Sequence, residues 1–283
     1  MRYLIAGAAG MLGRDLQKAL AGREVTALTR ADLDVTDRDA VLAAVAGHDV
    51  VINASAYTKV DDAETHEDEA YAINARGTEN LAVAAAEHGA RFVTVSTDYV
   101  FDGHASEPYA EDTPRDPINA YGRTKAAGEE LALAAHPEGT FVVRTAWLYG
   151  AGGPNFAKTM VKLAGSHETV SVVDDQAGQP TWTGDLAAQI VALLDAEAPA
   201  GVYHGTNSGE TTWFGFARAV FAQAGLDPER VTPTDSSTFV RPAPRPSYSV
   251  LGHDAWTAAG LAPMRPWEDA LAAAATDGLF AAP

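Results

Sequence analysis

Residues 2–20 read RYLIAGAAGMLGRDLQKAL. Arg2–Ala6 is a short apolar run that predicts a buried strand. Gly7, Gly10 and Gly13 follow at the spacing G-x-x-G-x-x-G, and Leu12, Leu16 and Leu20 then recur at helical intervals. Strand, glycine turn and helix in that order open a dinucleotide-binding α/β unit. The glycines let the backbone approach a pyrophosphate whose charge rests on the helix N-terminus. The spacing departs from G-x-G-x-x-G, and three glycines in an alanine-rich turn also suit plain tight packing. Placement at the first strand–helix junction favours the phosphate reading, with Gly7, Gly10, Met11, Leu12 and Gly13 as contact residues.

Working outward, Glu24–Leu28 predicts a second strand with Arg30 just past its end. At that point a carboxylate holds a ribose 2′-hydroxyl, whereas an arginine accommodates a 2′-phosphate. Arg30 therefore favours NADPH, while Asp32 and Asp34 stand near the usual place of the acidic residue and leave NADH open. Asp34 and Val35 join Arg30 as cofactor candidates. Asp37–Ala46 predicts a short amphipathic helix capped by Thr36, and Asp49–Asn53 another buried strand. After it, Ala54, Ser55 and Ala56 are small enough to let a flat cofactor pass. Ala70–His88 predicts a long helix and Arg91–Ser96 the next strand. Strands alternating with helices predict an α/β fold with a Rossmann-type, doubly wound parallel sheet.

Beyond Gly150 the pattern changes. Helices are expected over Phe156–Leu163, Asp185–Leu194, Trp213–Ala224 and Trp267–Ala275, with strands inside TVSVVDDQAGQPTW (169–182) and GVYHGTN (201–207). TPTDSSTFVRPAPRPSYSVLG (232–252) reads as a Pro-rich loop. The expected organisation is a dinucleotide-binding domain over 1–150, with 185–206 packing back on it. A smaller C-terminal substrate-binding lobe is then drawn mainly from 151–283.

With 38 acidic against 20 basic residues the net charge is −18, which argues against nucleic acid or an anionic membrane as a general partner. The absence of cysteine excludes thiolate catalysis, disulfides and Cys-ligated metals. No run approaches the roughly 20 apolar residues of a membrane span, and the N-terminus lacks a leader pattern. A cytoplasmic location is the expectation.

The chemistry lies in RFVTVSTDYVFDG (91–103) and YGRTK (121–125). Tyr121 and Lys125, at i and i+4, project from one helix face, and Thr97 ends a strand. A hydroxyl, a phenol and an ammonium together can move a proton onto a carbonyl oxygen that is being reduced. The glycine turn with Y-x-x-x-K resembles the extended short-chain dehydrogenase/reductase family. STDYVFDG, YGRTK, RTAWLYG, NFAKTM, DDQAGQPT and RPSYSVL, in that order, resemble its branch of dTDP-4-dehydrorhamnose reductases. Two departures, Ala6 for a common Thr and Met11 for a common Gln, remove no catalytic group.

The resemblance implies NADPH-dependent reduction of the C4 keto group of a dTDP-6-deoxy-4-ketohexose, with dTDP-4-dehydro-L-rhamnose as first expectation. It makes Tyr121 the general acid and a cofactor contact, and Lys125 the cation that draws the phenol down from its usual pKa of about 10 and holds the nicotinamide ribose. Thr97 orients the carbonyl. It assigns the sugar nucleotide to Thr97, Asp98, Tyr99, Trp147, Asn155, Lys158 and Arg245. Reductases of streptose or antibiotic sugars look much the same. A non-catalytic dinucleotide-binding protein, the regulatory subunit of methionine adenosyltransferase, also resembles the family, but intact Thr97, Tyr121 and Lys125 and the RPSYSVL segment favour the enzyme. Some relatives hold Mg²⁺ at a dimer contact, so Mg²⁺ and a homodimer stay open, with no ligands assignable.

Overall fold

Alternate residues of the first strand feed two different cores. In the computed structural model, which describes residues 1–281, β1 (Arg2–Ala6) sends Tyr3 and Ile5 to one face and Leu4 and Ala6 to the other. In β3 (Val50–Asn53), Val50 and Ile52 likewise oppose Val51. Unbroken apolar strands of this kind suit a parallel sheet covered on both sides. The sheet has six parallel strands, ordered Gly201–His204, β5 (Thr140–Thr145), β4 (Arg91–Thr97), β3, β1 and β2 (Glu24–Leu28). The order reverses between β1 and β3. The crevice outside the carboxyl ends of strands at such a point is where these sheets take ligands.

One face is covered by the Met11–Ala19 and Thr183–Asp195 helices, which bury Leu12, Leu16, Leu186 and Ile190 against Tyr3, Ile52 and Phe141. The other face carries the Arg38–Val45, Thr78–His88 and Ala120–Ala135 helices, with Val41, Leu81 and Ala132 against Leu4, Val51 and Phe92. A third core gathers Tyr149, Met160, Val172, Phe216, Phe221 and Leu271 beyond the sheet's carboxyl end.

The structure departs from the sequence reading in four places. The Arg38–Val45 helix is capped by Asp37, which accepts from the Ala40 N–H, while the Thr36 hydroxyl donates to Asp34. The long helix starts at Glu67 and widens into a π turn over Ala72–Gly77. There the buried Asn74 side chain bonds the Tyr57 backbone and the Thr124 hydroxyl at 3.1 Å, and so ties this helix to the YGRTK helix. Val231–Thr234, overlapping the start of the expected loop, pairs with Val170–Val173 as a parallel strand. TFVVRTAWLYG (140–150), a run that reads as one apolar strand, breaks in two at Ala146–Trp147, where Trp147 takes a φ of +46°. Among the described residues no helix is long and apolar enough to cross a membrane.

Candidate active site

The glycine turn is built by close approach. Gly7 has a φ of +82°, and a Cβ there would stand 2.7 Å from the Ala54 carbonyl carbon. A Cβ on Gly13 would lie 2.4 Å from the Gly7 oxygen, so Gly13 serves the seating of helix on strand. The helix opens on Gly10 with no side-chain cap and no acidic residue in its first turn. Its first N–H groups are thus free of protein partners, an arrangement that fits a pyrophosphate.

Two hollows meet at this turn. One, of about 620 Å³, runs over Met11, Leu12, Ser96, Thr97, Tyr121 and Lys125. The other, of about 400 Å³, reaches Gly7, Arg30, Asp34 and Val35. Gly10, Ala54, Ser55 and Ala56 border both. The first holds the Thr97, Tyr121 and Lys125 side chains, and the second holds Arg30 and Asp34. Asp34 Oδ1 accepts from the Thr36 N–H at 2.9 Å and hydroxyl at 2.8 Å.

The Ala120–Ala135 helix carries Tyr121 and Lys125. Asn119 caps it through the Gly122 N–H at 2.8 Å, and Gly122 has no Cβ to strike the Tyr99 oxygen 2.1 Å away. The Lys125 ammonium is buried and donates to the Val95 carbonyl at 2.7 Å. Burial brings its pKa down to about 8, opposed by the charge of Glu129 one turn on. Tyr121 meets Tyr99 edge to face at 5.8 Å. Contrary to the sequence expectation, its phenol is pushed up from the usual value, chiefly by burial and then by the nearby Asp98 charge. The Lys125 ammonium is committed to the Val95 carbonyl and does not draw the phenol down. A phenol fully protonated at neutral pH is what a proton donor requires.

Thr97 ends β4 and its hydroxyl donates to Asp98 at 2.9 Å. Burial pushes the Asp98 carboxyl up to about 6. Ser96 Oγ, Asp98 Oδ2 and Thr145 Oγ1, all on residues lining the cleft, are buried without a hydrogen-bond partner. Such orphaned groups mark a place for a polar ligand. Thr145 escaped the sequence reading although it carries the same signal as Thr97, a hydroxyl at the carboxyl end of a parallel strand and its register partner. Thr58 and Pro154 also line the cleft, and no motif announced them.

Asp98, Tyr99 and Trp147 all border the cleft. The second-lobe candidates do not. Asn155 caps the Phe156–Ala164 helix and donates to the Gly150 carbonyl at 2.8 Å, and the Lys158 ammonium donates to Ala151 at 2.6 Å. Both brace the loop whose Gly152, Gly153 and Pro154 form the cleft wall. Arg245 pairs with Asp61 at 2.9 Å and lies over the Tyr99 ring at 5.9 Å. Among the described residues no group of three His, Asp or Glu side chains gathers to hold a metal ion.

The sequence matches the RmlD substrate binding domain over residues 1–279. It is 51% identical to a dTDP-4-dehydrorhamnose reductase of Streptomyces griseus, over 95% of this chain and 91% of that protein. It is 52% identical to a dTDP-4-keto-6-deoxy-D-glucose reductase of Streptomyces niveus, over 95% of each. A dTDP-4-dehydrorhamnose reductase from Bacillus anthracis, solved in complex with NADP, superposes with a TM-score of 0.94 at 40% identity, covering 98% of this chain and 99% of that one.

Proposed function

Since the chain belongs to the RmlD substrate-binding domain family, we propose that it is an NADPH-dependent reductase of the C4 keto group of a dTDP-6-deoxy-4-ketohexose, with dTDP-4-dehydro-L-rhamnose the first substrate to test. The observation that carries the reading is the gathering of Thr97, Tyr121 and Lys125 around one cleft, which opens onto the glycine turn and its adjoining hollow. Residues 1–150 with 185–206 hold the cofactor, and the remainder of 151–281 closes over the sugar.

NADPH bound across the two hollows supplies the hydride. Met11 and Leu12 present N–H groups to the pyrophosphate, while Ala54, Ser55 and Ala56 leave room for a flat ring. Thr97 turns its hydroxyl from Asp98 to the carbonyl oxygen and orients it. Tyr121 gives its proton to O4 as negative charge develops there. Lys125, anchored on the Val95 carbonyl, contacts the nicotinamide ribose. Mixing the protein with NADPH and dTDP-4-keto-6-deoxy-L-mannose, and following absorbance of the reduced nicotinamide, tests this directly. No oxidation with that sugar or its C5 and C3 epimers would defeat the reading in favour of a non-catalytic dinucleotide-binding protein.

Two expectations accompany it. With Asp34 engaged by Thr36, Arg30 is the group at the second hollow able to meet a 2′-phosphate. Arg30→Ala should raise the KM for NADPH by roughly ten- to a hundredfold, the worth of a charge-assisted hydrogen bond, and leave the KM for NADH near wild type. Equal shifts for the two cofactors would remove Arg30 from the 2′-phosphate. The second concerns pH. Lys125 helps as a cation and is neutral above about 8, so kcat should fall on the alkaline side with an apparent pKa near that value. A flat profile through pH of about 10, the range of an unperturbed lysine, would contradict it.

A further inference from the structure

The residue that holds the sugar-facing wall in place lies outside the cleft. Trp147 borders the cleft, and its φ of +46° is a left-handed backbone conformation that an aromatic residue rarely adopts unless its surroundings impose it. Those surroundings are specific. The Trp147 indole is stacked on Trp213, with ring centroids 3.6 Å apart and planes 12° from parallel. Its benzenoid edge rests on Gly178, where a Cβ would come within 2.6 Å of the ring. The Trp147 carbonyl also accepts the Thr181 N–H at 3.3 Å. One indole face is therefore covered and one edge is blocked, and the half-buried remainder borders the cleft.

Trp213 does not line the cleft, and it is held firmly from behind. It opens the Trp213–Gln223 helix, which Thr212 caps through the Gly215 N–H at 3.1 Å, and Phe156 packs against its ring at 4.5 Å. The second-lobe core, through Phe156 and Phe216, thus sets the plane of Trp147. Thr97, Tyr121 and Lys125 instead come from the main sheet and the helix beside it.

We propose that Trp213 and Gly178 are positioning residues for sugar recognition: they fix the Trp147 indole as a rigid platform for the apolar face of a 6-deoxyhexose. The inference rests on the reductase reading above, and extends it to residues that never touch the substrate. A platform ordered in advance spares the binding step the ordering of an aromatic side chain. Because the platform and the proton donor stand on different elements, disturbing the platform weakens sugar binding and leaves cofactor binding and proton transfer in place.

The experiment is steady-state kinetics with NADPH and dTDP-4-keto-6-deoxy-L-mannose on Trp213→Ala, Trp213→Phe, Gly178→Ala and Trp147→Ala. Trp213→Ala should raise the KM for the sugar nucleotide by roughly five- to tenfold, the worth of one aromatic stack and one ordered side chain. The KM for NADPH should stay at wild type and kcat change little. Trp213→Phe keeps a stacking face and should restore most of the loss. Gly178→Ala pushes the indole without removing an aromatic ring and should reproduce the selective rise, so it decides the matter even where Trp213→Ala does not fold. A wild-type sugar KM in Gly178→Ala and Trp213→Ala, or a parallel rise in both KM values, overturns the proposal. A wild-type sugar KM in Trp147→Ala overturns the sugar-stacking role itself, while absence of turnover in the unmutated protein overturns the reductase reading instead.

Discussion

Tyr121→Phe should bind NADPH as tightly as the unmutated protein and turn over about a thousandfold more slowly, within the range lost when a positioned general acid is removed. The substitution deletes one oxygen and little else. The ring keeps its edge-to-face contact with Tyr99, and the helix beneath it keeps the Asn119 cap and the Asn74–Thr124 tie to its neighbour. Burial and the Asp98 charge hold the phenol protonated throughout the neutral range, so the loss reports a missing donor and not a changed protonation state. Activity should persist at a low level because the Thr97 hydroxyl still reaches the developing charge. Cofactor affinity by fluorescence titration and single-turnover oxidation of the reduced nicotinamide separate the two effects. Turnover within tenfold of the unmutated protein would take Tyr121 out of the acid role, and weakened NADPH binding would mean that the phenol serves the cofactor instead.

What could be read in the sequence was whatever depends on neighbours along the chain. RYLIA, DVVIN and RFVTVS are apolar runs bounded by turn residues, and buried parallel strands have no other signature. Tyr121 and Lys125 share a helix face by spacing alone. The misplaced features are long-range. The π turn at Ala72–Gly77 accompanies Asn74's bonds to Tyr57 and Thr124, partners that spacing cannot reveal. VTPT becomes a strand only because Val170–Val173 offers it an edge. The same holds within the site. An ammonium one helical turn from a phenol was expected to lower its pKa, yet Lys125 extends to the Val95 carbonyl of the adjacent strand. Arg245, assigned to the sugar nucleotide by the resemblance, is held by Asp61, far away in sequence. Residue type and local spacing identify which groups can act, but packing decides which are engaged.

Arg144→Ala should destabilise the fold by roughly 3–5 kcal/mol at neutral pH, the usual consequence of stripping one partner from a buried ion pair. Arg144 and Glu129 are 3% and 1% exposed, and the guanidinium grips both carboxylate oxygens, through Nε at 3.0 Å and Nη2 at 2.8 Å. Arg144 also donates to the Glu111 carbonyl at 3.1 Å and lies over the Phe101 ring at 5.0 Å. Without it Glu129 keeps only the more distant Arg115, at 3.4 Å. An uncompensated buried carboxylate takes up a proton, so its pKa in the folded variant rises above the unfolded value of about 4.3. The sign follows from linkage. The variant's deficit is smallest near that unfolded pKa and grows as pH rises towards neutrality, where the folded state must either keep the proton or bury the charge. Denaturant unfolding at pH of about 5 and about 7.5 measures the difference. Replacing both partners, as in Glu129→Leu with Arg144→Met, should recover most of the loss, since a buried pair exchanged for apolar groups of similar size is often neutral. Glu129 stands two turns beyond Tyr121 on the same face of the helix, so the single variant should lose turnover along with stability, and the double variant should regain both. If Arg144→Ala cost under about 1 kcal/mol, Arg115 alone would suffice to compensate Glu129. The seating of the Tyr121 helix would then have to come from the Asn119 cap and the Asn74–Thr124 bond.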